Sequence, residues 1–277
     1  MSELVIGSVG VIGLGKMGRP IARHLIAASY DVCGFDPDPD AASAAAASGV
    51  TIGTTCADIA KASDLILISV GFEEQVEQSV FAADGVLAGA GKTAILAIAS
   101  TVSPSYMIAL ARRAKQRGLE VVDIPLVRGE RAAEEGSLVV LAGGPEDVLA
   151  RCRPVLETFS DALFRLGDVG AGQVAKAVNN MLLWTCLCAN VEGMDFAEAF
   201  GVDREVLREA LQQSSGANWA LETRAEERPA LWAEKDMMIL LAEADSARVA
   251  MPVSGTVKEA IKAFKIARNL PMPKREG

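Results

Sequence analysis

The sequence predicts an α/β fold, a doubly wound parallel sheet followed by a smaller all-α domain joined by a long helix. Three observations carry this. Short, continuously apolar runs recur through the first part of the chain, helical stretches separate them, and beyond Gly167 apolar positions recur only at helical spacing. Continuous rather than alternating apolar runs mark strands buried on both faces of a parallel sheet. Their alternation with helices implies right-handed βαβ units.

In chain order, the strand-like runs are Val9–Ile12, Val32–Phe35, Leu65–Val70, Ala94–Ile98 and Val121–Ile124. Helices are expected at Pro20–Ser29, Pro39–Ser48 and Pro104–Arg117. Leu138–Ala142 and Phe164–Leu166 extend the sheet. After Gly167, the breakers Gly201, Gly216 and Pro252 divide four or five helices, the first a long one starting near Gly172. A boundary near Leu166 gives domains at 1–166 and 167–277.

Composition narrows the function classes. Apolar residues make up 51% and charged residues 23%, enough to form a sizeable core. The net charge of −9 argues against a nucleic-acid partner, which calls for gathered Lys and Arg. Cys33, Cys56, Cys152, Cys186 and Cys188 are odd in number and follow no metal or disulfide spacing, so they read as reduced thiols of a cytoplasmic protein, with no metal site. The N-terminal apolar stretch lacks the basic region of a signal peptide, and Met181–Val191 falls far short of the ~20 apolar residues a bilayer span needs, so no membrane association is expected.

Gly13-Leu14-Gly15-Lys16-Met17-Gly18 has the GxGxxG spacing, follows a buried-type strand and opens a helix near Met17. In that setting the first glycine allows the tight turn, the second lets a pyrophosphate approach the backbone, and the third lets helix pack on strand. The helix N-terminus offers its amides to phosphate. This is the arrangement of a Rossmann-type dinucleotide site. Asp36 ends the second run at the distance expected for an acid that accepts from the adenosine ribose hydroxyls, and Pro37 stands where an NADP enzyme often carries an arginine. Both point to NAD over NADP. Val70, closing the third run, is grouped with the cofactor-binding residues.

A second glycine-rich stretch, Gly167-Asp168-Val169-Gly170-Ala171-Gly172, leads into a helix carrying Lys176 and Asn180 four residues apart, hence on one face. An ammonium and an amide projected together suit binding and protonation of a carbonyl oxygen.

These two motifs, in order and more than a hundred residues apart, resemble the β-hydroxyacid dehydrogenase family, which includes 3-hydroxyisobutyrate dehydrogenases. The family's GxxGxGxxxKxxxN pattern is matched from Gly167 through Lys176 to Asn180, and Lys235-Asp236 matches in the helical region. The resemblance implies an NAD-dependent oxidoreductase acting on a small anionic hydroxyacid or its aldehyde. Lys176 would be general acid/base, Asn180 would hold the substrate, Lys235 would close the site near the nicotinamide, and Thr101 would lie near that ring. It also implies a homodimer or homotetramer.

The substrate loop departs from the family's DAPVSGG, reading Asp123-Ile124-Pro125-Leu126-Val127-Arg128-Gly129. Val127 replaces the serine, and Arg128 replaces a glycine. Arg128 resembles the arginine with which the sulfolactaldehyde reductase branch grips a sulfonate, so Val127, Arg128 and Gly129 are expected at the substrate, with pairing of Arg128 to Glu130 or Glu134 as the alternative. His24, the only histidine, falls inside the first helix and reads as structural. Trp184, Trp219 and Trp232 read as packing or interface residues. An imine reductase is disfavoured by Lys176 and Asp36, and a 6-phosphogluconate dehydrogenase by the short helical part. A catalytically inactive NAD-binding module is the reading from outside enzymes.

Overall fold

A computed structural model describes residues 5–224, 227 and 231–272. The chain divides into two compact units between Lys176 and Ala177. The first contains β1 (Ser8–Ile12), α1 (Gly18–Ala27), β2 (Asp31–Phe35), α2 (Pro39–Ala46), β3 (Thr51–Ile52), α3 (Cys56–Lys61), β4 (Leu65–Ile68), α4 (Glu73–Phe81), α5 (Val86–Gly89), β5 (Ile95–Ile98) and α6 (Pro104–Lys115). It continues with β6 (Glu120–Asp123), β7 (Leu126–Val127), α7 (Gly129–Glu135), β8 (Leu138–Gly143), α8 (Glu146–Leu156), β9 (Ser160–Gly167) and the start of α9 (Ala171–Ala199).

All these strands form one sheet, in the order β3-β2-β1-β4-β5-β6-β8-β7, with β9 paired to β8. From β3 to β6 every pairing is parallel. β8 runs antiparallel to β6 and β7 and parallel to β9. Strand order reverses direction at β1, so the carboxyl ends of β1 and β4 flank a topological switch point, where open α/β sheets bind ligands.

Both faces of the sheet are covered, as the unbroken apolar runs require. Val9, Val11, Leu65, Leu67, Ile95 and Ala97 pack with Ile21 and Leu25 of α1 and with Leu149 and Cys152 of α8. The alternate residues Ile12, Ile66, Ile68, Leu96 and Ile98 pack with Ile59 of α3, Val76 of α4 and Met107 and Leu110 of α6. Ile66 and Ile98 are wholly buried, and each such side chain contributes about 1.5–3 kcal/mol through loss of apolar surface from water.

The seven expected strands are all present, with shifted ends. The run Leu65–Val70 stops pairing at Ile68 because the Val70 amide turns to the Ser100 hydroxyl, at 2.8 Å. β9 starts at Ser160, earlier than its apolar run, because on this partly exposed strand polar residues intersperse with apolar ones. The two-residue strands β3 and β7 carry no readable period, and β7 lies inside the stretch read as substrate loop.

The second unit holds the rest of α9, then α10 (Arg204–Gln212), α11 (Trp219–Thr223), α12 (Ala233–Ser246) and α13 (Pro252–Ala267). Met237 and Leu240 of α12 pack with Val257 and Ile261 of α13 and with Ala177, Met181 and Trp184 of α9. Lys265 and Glu234 form a buried ion pair between α12 and α13, at 3.5 Å. Among the described residues no helix is long and apolar enough to cross a membrane. The division after Lys176 falls ten residues beyond the expected Leu166, because the opening turns of α9 are bonded to the sheet of the first unit.

Candidate active site

The turn after β1 shows why its glycines differ. Gly13 has φ +90°, and a Cβ there would lie 2.4 Å from the Ser69 carbonyl oxygen. A Cβ on Gly18 would lie 1.8 Å from the Gly13 carbonyl oxygen. Both are demanded by the protein's own packing. Gly15 is not: its φ is ordinary and a Cβ would meet no atom within 4 Å. Helix α1, which follows, has no side-chain cap and no acid in its first turn. An open cradle beside an uncapped helix N-terminus fits the pyrophosphate of a dinucleotide.

Asp36, just past β2, stands beside this turn. Its carboxylate accepts from the Leu14 amide at 2.7 Å and from the Asp38 amide at 2.9 Å, one on each oxygen. Each oxygen retains acceptor capacity, so the same carboxylate can brace the turn and receive ribose hydroxyls. Lys16 is exposed and pairs with Glu130 at 3.3 Å. Met17 is the N-cap residue of α1 and packs on the core below.

The loops after β4, β5 and β6 are tied together by buried polar groups. Ser100 receives the Val70 amide and donates to the Ile68 carbonyl at 3.3 Å. Gln173 of α9, 1% exposed, donates to the Ser100 carbonyl at 2.9 Å and accepts from the Val102 amide at 3.2 Å. Thr101 lies between these two anchored residues. Asp123, the last residue of β6 and fully buried, accepts from the Gly170 amide at 2.7 Å and the Gln173 amide at 2.9 Å. Since Val174 makes the first α-type bond back to Gly170, these are the N-cap and N3 amides of α9. One carboxylate from a neighbouring strand thus satisfies both donors that a capping box serves from within a helix. Burial pushes the Asp123 carboxyl up to about 6, against the lowering effect of its amide donors.

The glycines here serve that carboxylate. A Cβ on Gly143 would lie 2.5 Å from Asp123 Oδ1, and one on Gly172 would lie 2.3 Å from the Leu141 carbonyl oxygen and 2.7 Å from Asp123 Oδ2. One turn on from Gln173, Lys176 is partly buried and its Nζ donates to the Leu126 carbonyl at 2.6 Å. Leu126 follows β6, so the ammonium sits at the carboxyl edge of the sheet that carries the glycine turn.

Arg128 differs from its expectation. It takes the left-handed conformation, φ 84°, at the N-cap of α7, followed by Gly129 at φ 81°. Its guanidinium donates to Asp161 Oδ2 at 2.7 Å and to the Ser137 carbonyl at 2.9 Å. The partner is neither Glu130 nor Glu134, because the left-handed turn sends the side chain toward β9 rather than along α7. Both bonds use Nη1, so Asp161 holds one edge of the guanidinium. Val127, before it, is held in the β7–β8 pairing opposite Val139.

In the helical unit, the Asn180 amide donates to Asp236 Oδ2 at 2.9 Å, the Trp184 indole donates to the same oxygen at 3.0 Å, and Asn179 donates to Asn180 Oδ1 at 3.1 Å. Lys235 lies over the Trp232 ring at 5.4 Å. His24 joins α1 to the end of α7, 3.1 Å from the Ala133 and Glu134 carbonyls. Burial raises the thiols of Cys152 to about 12 and Cys188 to about 11, leaving both as packing groups.

The glycine turn, Asp36, Val70, Thr101, Val127, Arg128, Gly129 and Lys176 all belong to the first unit, while Asn180 and Lys235 belong to the second. Sequence reasoning did not foresee the hydrogen bonds made by Asp123, Gln173, Ser100 and Asp236. A signal existed for the first: Asp123 is the one charged residue in Val121-Val122-Asp123-Ile124, and an acid in an otherwise buried run needs a partner.

The parallel sheet and its glycine turn define a dinucleotide-binding α/β protein of the Rossmann type with an α-helical C-terminal unit. The family model described as the NAD binding domain of 6-phosphogluconate dehydrogenase matches residues 8–167, and that described as the NAD-binding of NADP-dependent 3-hydroxyisobutyrate dehydrogenase matches residues 170–270. The chain belongs to the β-hydroxyacid dehydrogenase family of oxidoreductases. It is 35% identical over 213 residues to the 3-hydroxyisobutyrate dehydrogenase of Pseudomonas aeruginosa, covering 77% of this chain and 72% of that protein. It is 33% identical over 214 residues to an NAD-dependent L-serine dehydrogenase of the same organism, covering 77% and 72%. A solved 3-hydroxyisobutyrate dehydrogenase of Mycobacterium tuberculosis with L-serine superposes with a TM-score of 0.87 at 27% identity, covering 97% of each chain.

Proposed function

We propose that the chain interconverts a small β-hydroxyacid and its aldehyde or ketone, using NAD in preference to NADP, with Lys176 as general acid/base. The observation that carries this reading is the Lys176 ammonium held on the Leu126 carbonyl, at the edge of the sheet that also presents the open Gly15 cradle. A bound nicotinamide cofactor would accept the hydride as NAD+ in oxidation and supply it as NADH in reduction. Gly13, Leu14, Gly15, Lys16, Met17 and Gly18 form the turn that would receive its pyrophosphate, Asp36 would accept from its ribose, and Val70 and Thr101 would line the nicotinamide end. Lys176 donates a proton to the substrate's carbonyl oxygen in reduction and takes the hydroxyl proton in oxidation. Such positioned proton transfer typically contributes ~10²–10⁴-fold.

Asn180, its amide orientation set by Asp236, holds the substrate, with Lys235 as a second cation from the helical unit and Val127, Arg128 and Gly129 as the substrate loop. The relatives named for 3-hydroxyisobutyrate and L-serine support small hydroxyacids as the substrate class. The chain is expected to act in the cytoplasm as a homodimer or homotetramer.

The test is NADH formation with 3-hydroxyisobutyrate and L-serine, run beside the same reactions with NADP. Turnover with NAD supports the reading. Silence with every hydroxyacid tried, while NADH still binds by fluorescence, leaves an inactive dinucleotide-binding module in its place.

A further inference from the structure

The network between β6 and α9 has a direction. Asp123 holds the N-cap and N3 amides of α9, and Gln173, the N3 residue itself, reaches the backbone on both sides of Thr101. Lys176 lies three residues beyond Gln173, on the same helical face, and its Nζ meets the carbonyl of Leu126, three residues beyond Asp123. The chain thus closes a ring: Asp123 to the α9 amides, along one helical turn to Lys176, and back through Leu126 to the strand end that supplies Asp123. Gly143 and Gly172 lie so close to this carboxylate that neither position has room for a side chain. A buried ionised group that accepts from several amides of one helix end fixes that end more tightly than a surface cap.

We propose that Asp123 and Gln173 are positioning residues that set where the Lys176 ammonium stands relative to the loops after β5 and β6. This rests on the reading of Lys176 as general acid/base. Neither residue touches the reacting atoms. Asp123 fixes the height and direction of the opening turn of α9, and Gln173 fixes its rotation against the Ser100–Val102 loop. The ammonium is thereby held at the Leu126 carbonyl instead of sampling solvent.

The test uses the full chain without added cofactor. Brief acetylation with isotopically coded acetic anhydride, over a pH series and read by mass spectrometry, reports the reactivity of each lysine. Exposed Lys115 serves as reference and buried Lys265 as a monitor of general loosening. Asp123→Asn and Gln173→Leu are expected to raise Lys176 labelling about tenfold, the scale of a lost charge-assisted hydrogen bond, with Lys115 and Lys265 unchanged. In turnover with 3-hydroxyisobutyrate or L-serine, both variants lower kcat, and Asp123→Asn leaves NADH affinity intact. Should Asp123→Asn fail to fold, Gln173→Leu carries the same test. Lys176 labelling at the wild-type rate in a folded variant, or a rise matched by Lys265, overturns the proposal. The two readings fail separately: full turnover by Lys176→Ala removes the acid/base role, whereas loss of turnover by Lys176→Ala with unaltered labelling in Gln173→Leu removes only the positioning role.

Discussion

Two glycine-rich turns open two helices of this protein, and they solve opposite problems. The turn before α1 leaves its helix end uncapped, and its middle glycine borders space that no protein atom fills. The turn before α9 is closed: the Asp123 carboxylate already occupies the N-terminal amides, and Gly172 is a glycine because that carboxylate and the Leu141 carbonyl press against it. A helix N-terminus attracts an anion through its free amides and its dipole. At α1 that anion must come from outside, as a phosphate. At α9 the chain supplies its own, and the helix end becomes a fixed mount for the lysine one turn along. Glycines at similar spacing therefore mark a ligand site in one place and a structural clamp in the other.

The largest effect expected from separating these roles is on chemistry. Lys176→Ala should lower kcat by ~10²–10⁴-fold while NADH still binds, as steady-state rates and cofactor fluorescence would show. Retention of half the activity would place the proton transfer elsewhere.

Next comes the clamp's own titration. The Asp123 carboxyl is raised from 3.8 to about 6, so between those values the folded chain holds a proton that the unfolded chain has released. The stability from that proton is complete below the lower value and is lost as pH rises through about 6. The total is on the order of 3 kcal/mol. Melting temperatures across this window should therefore fall for the wild type relative to Asp123→Asn, which has no carboxyl to titrate. Parallel profiles would mean that the carboxylate is not under a burial penalty.

The two glycines then separate cleanly. Gly172→Ala should cost ~1–3 kcal/mol through overpacking, visible as a lower Tm. Gly15→Ala should leave Tm unchanged and weaken NADH binding, because its methyl group meets only the space reserved for the ligand. A Gly15→Ala variant with wild-type cofactor affinity would empty that cradle of meaning. The smallest effect is one of selectivity: Asp36→Ala should narrow the preference for NAD over NADP by removing the carboxylate that repels a 2′-phosphate. Equal ratios of kcat/KM for the two cofactors in wild type and variant would end its role as discriminator.

Much of the fold was legible because its signals are local. A buried parallel strand must be apolar throughout, and Leu65–Ile68 and Ile95–Ile98 are. A glycine turn between strand and helix needs its spacing within one short segment, and Gly13 to Gly18 provides it. The partner of Arg128 was not legible, for the opposite reason. The arginine advertises an anion site, but its left-handed backbone and the arrival of β9 send it to Asp161, a partner 33 residues away. Asp236 was noted beside Lys235, but its bond to Asn180 was not legible, since it joins positions 56 residues apart.

What the sequence determined unaided was the order of elements, the dinucleotide turn and the lysine-bearing helix, because propensity, apolar period and glycine spacing act over a few residues. What only the tertiary structure decided was the use of each polar group. Asp123 acquires its work from amides 47 and 50 residues further along, and a hydrogen bond's strength depends on burial and direction, which exist only once the sheet has brought its strand ends together.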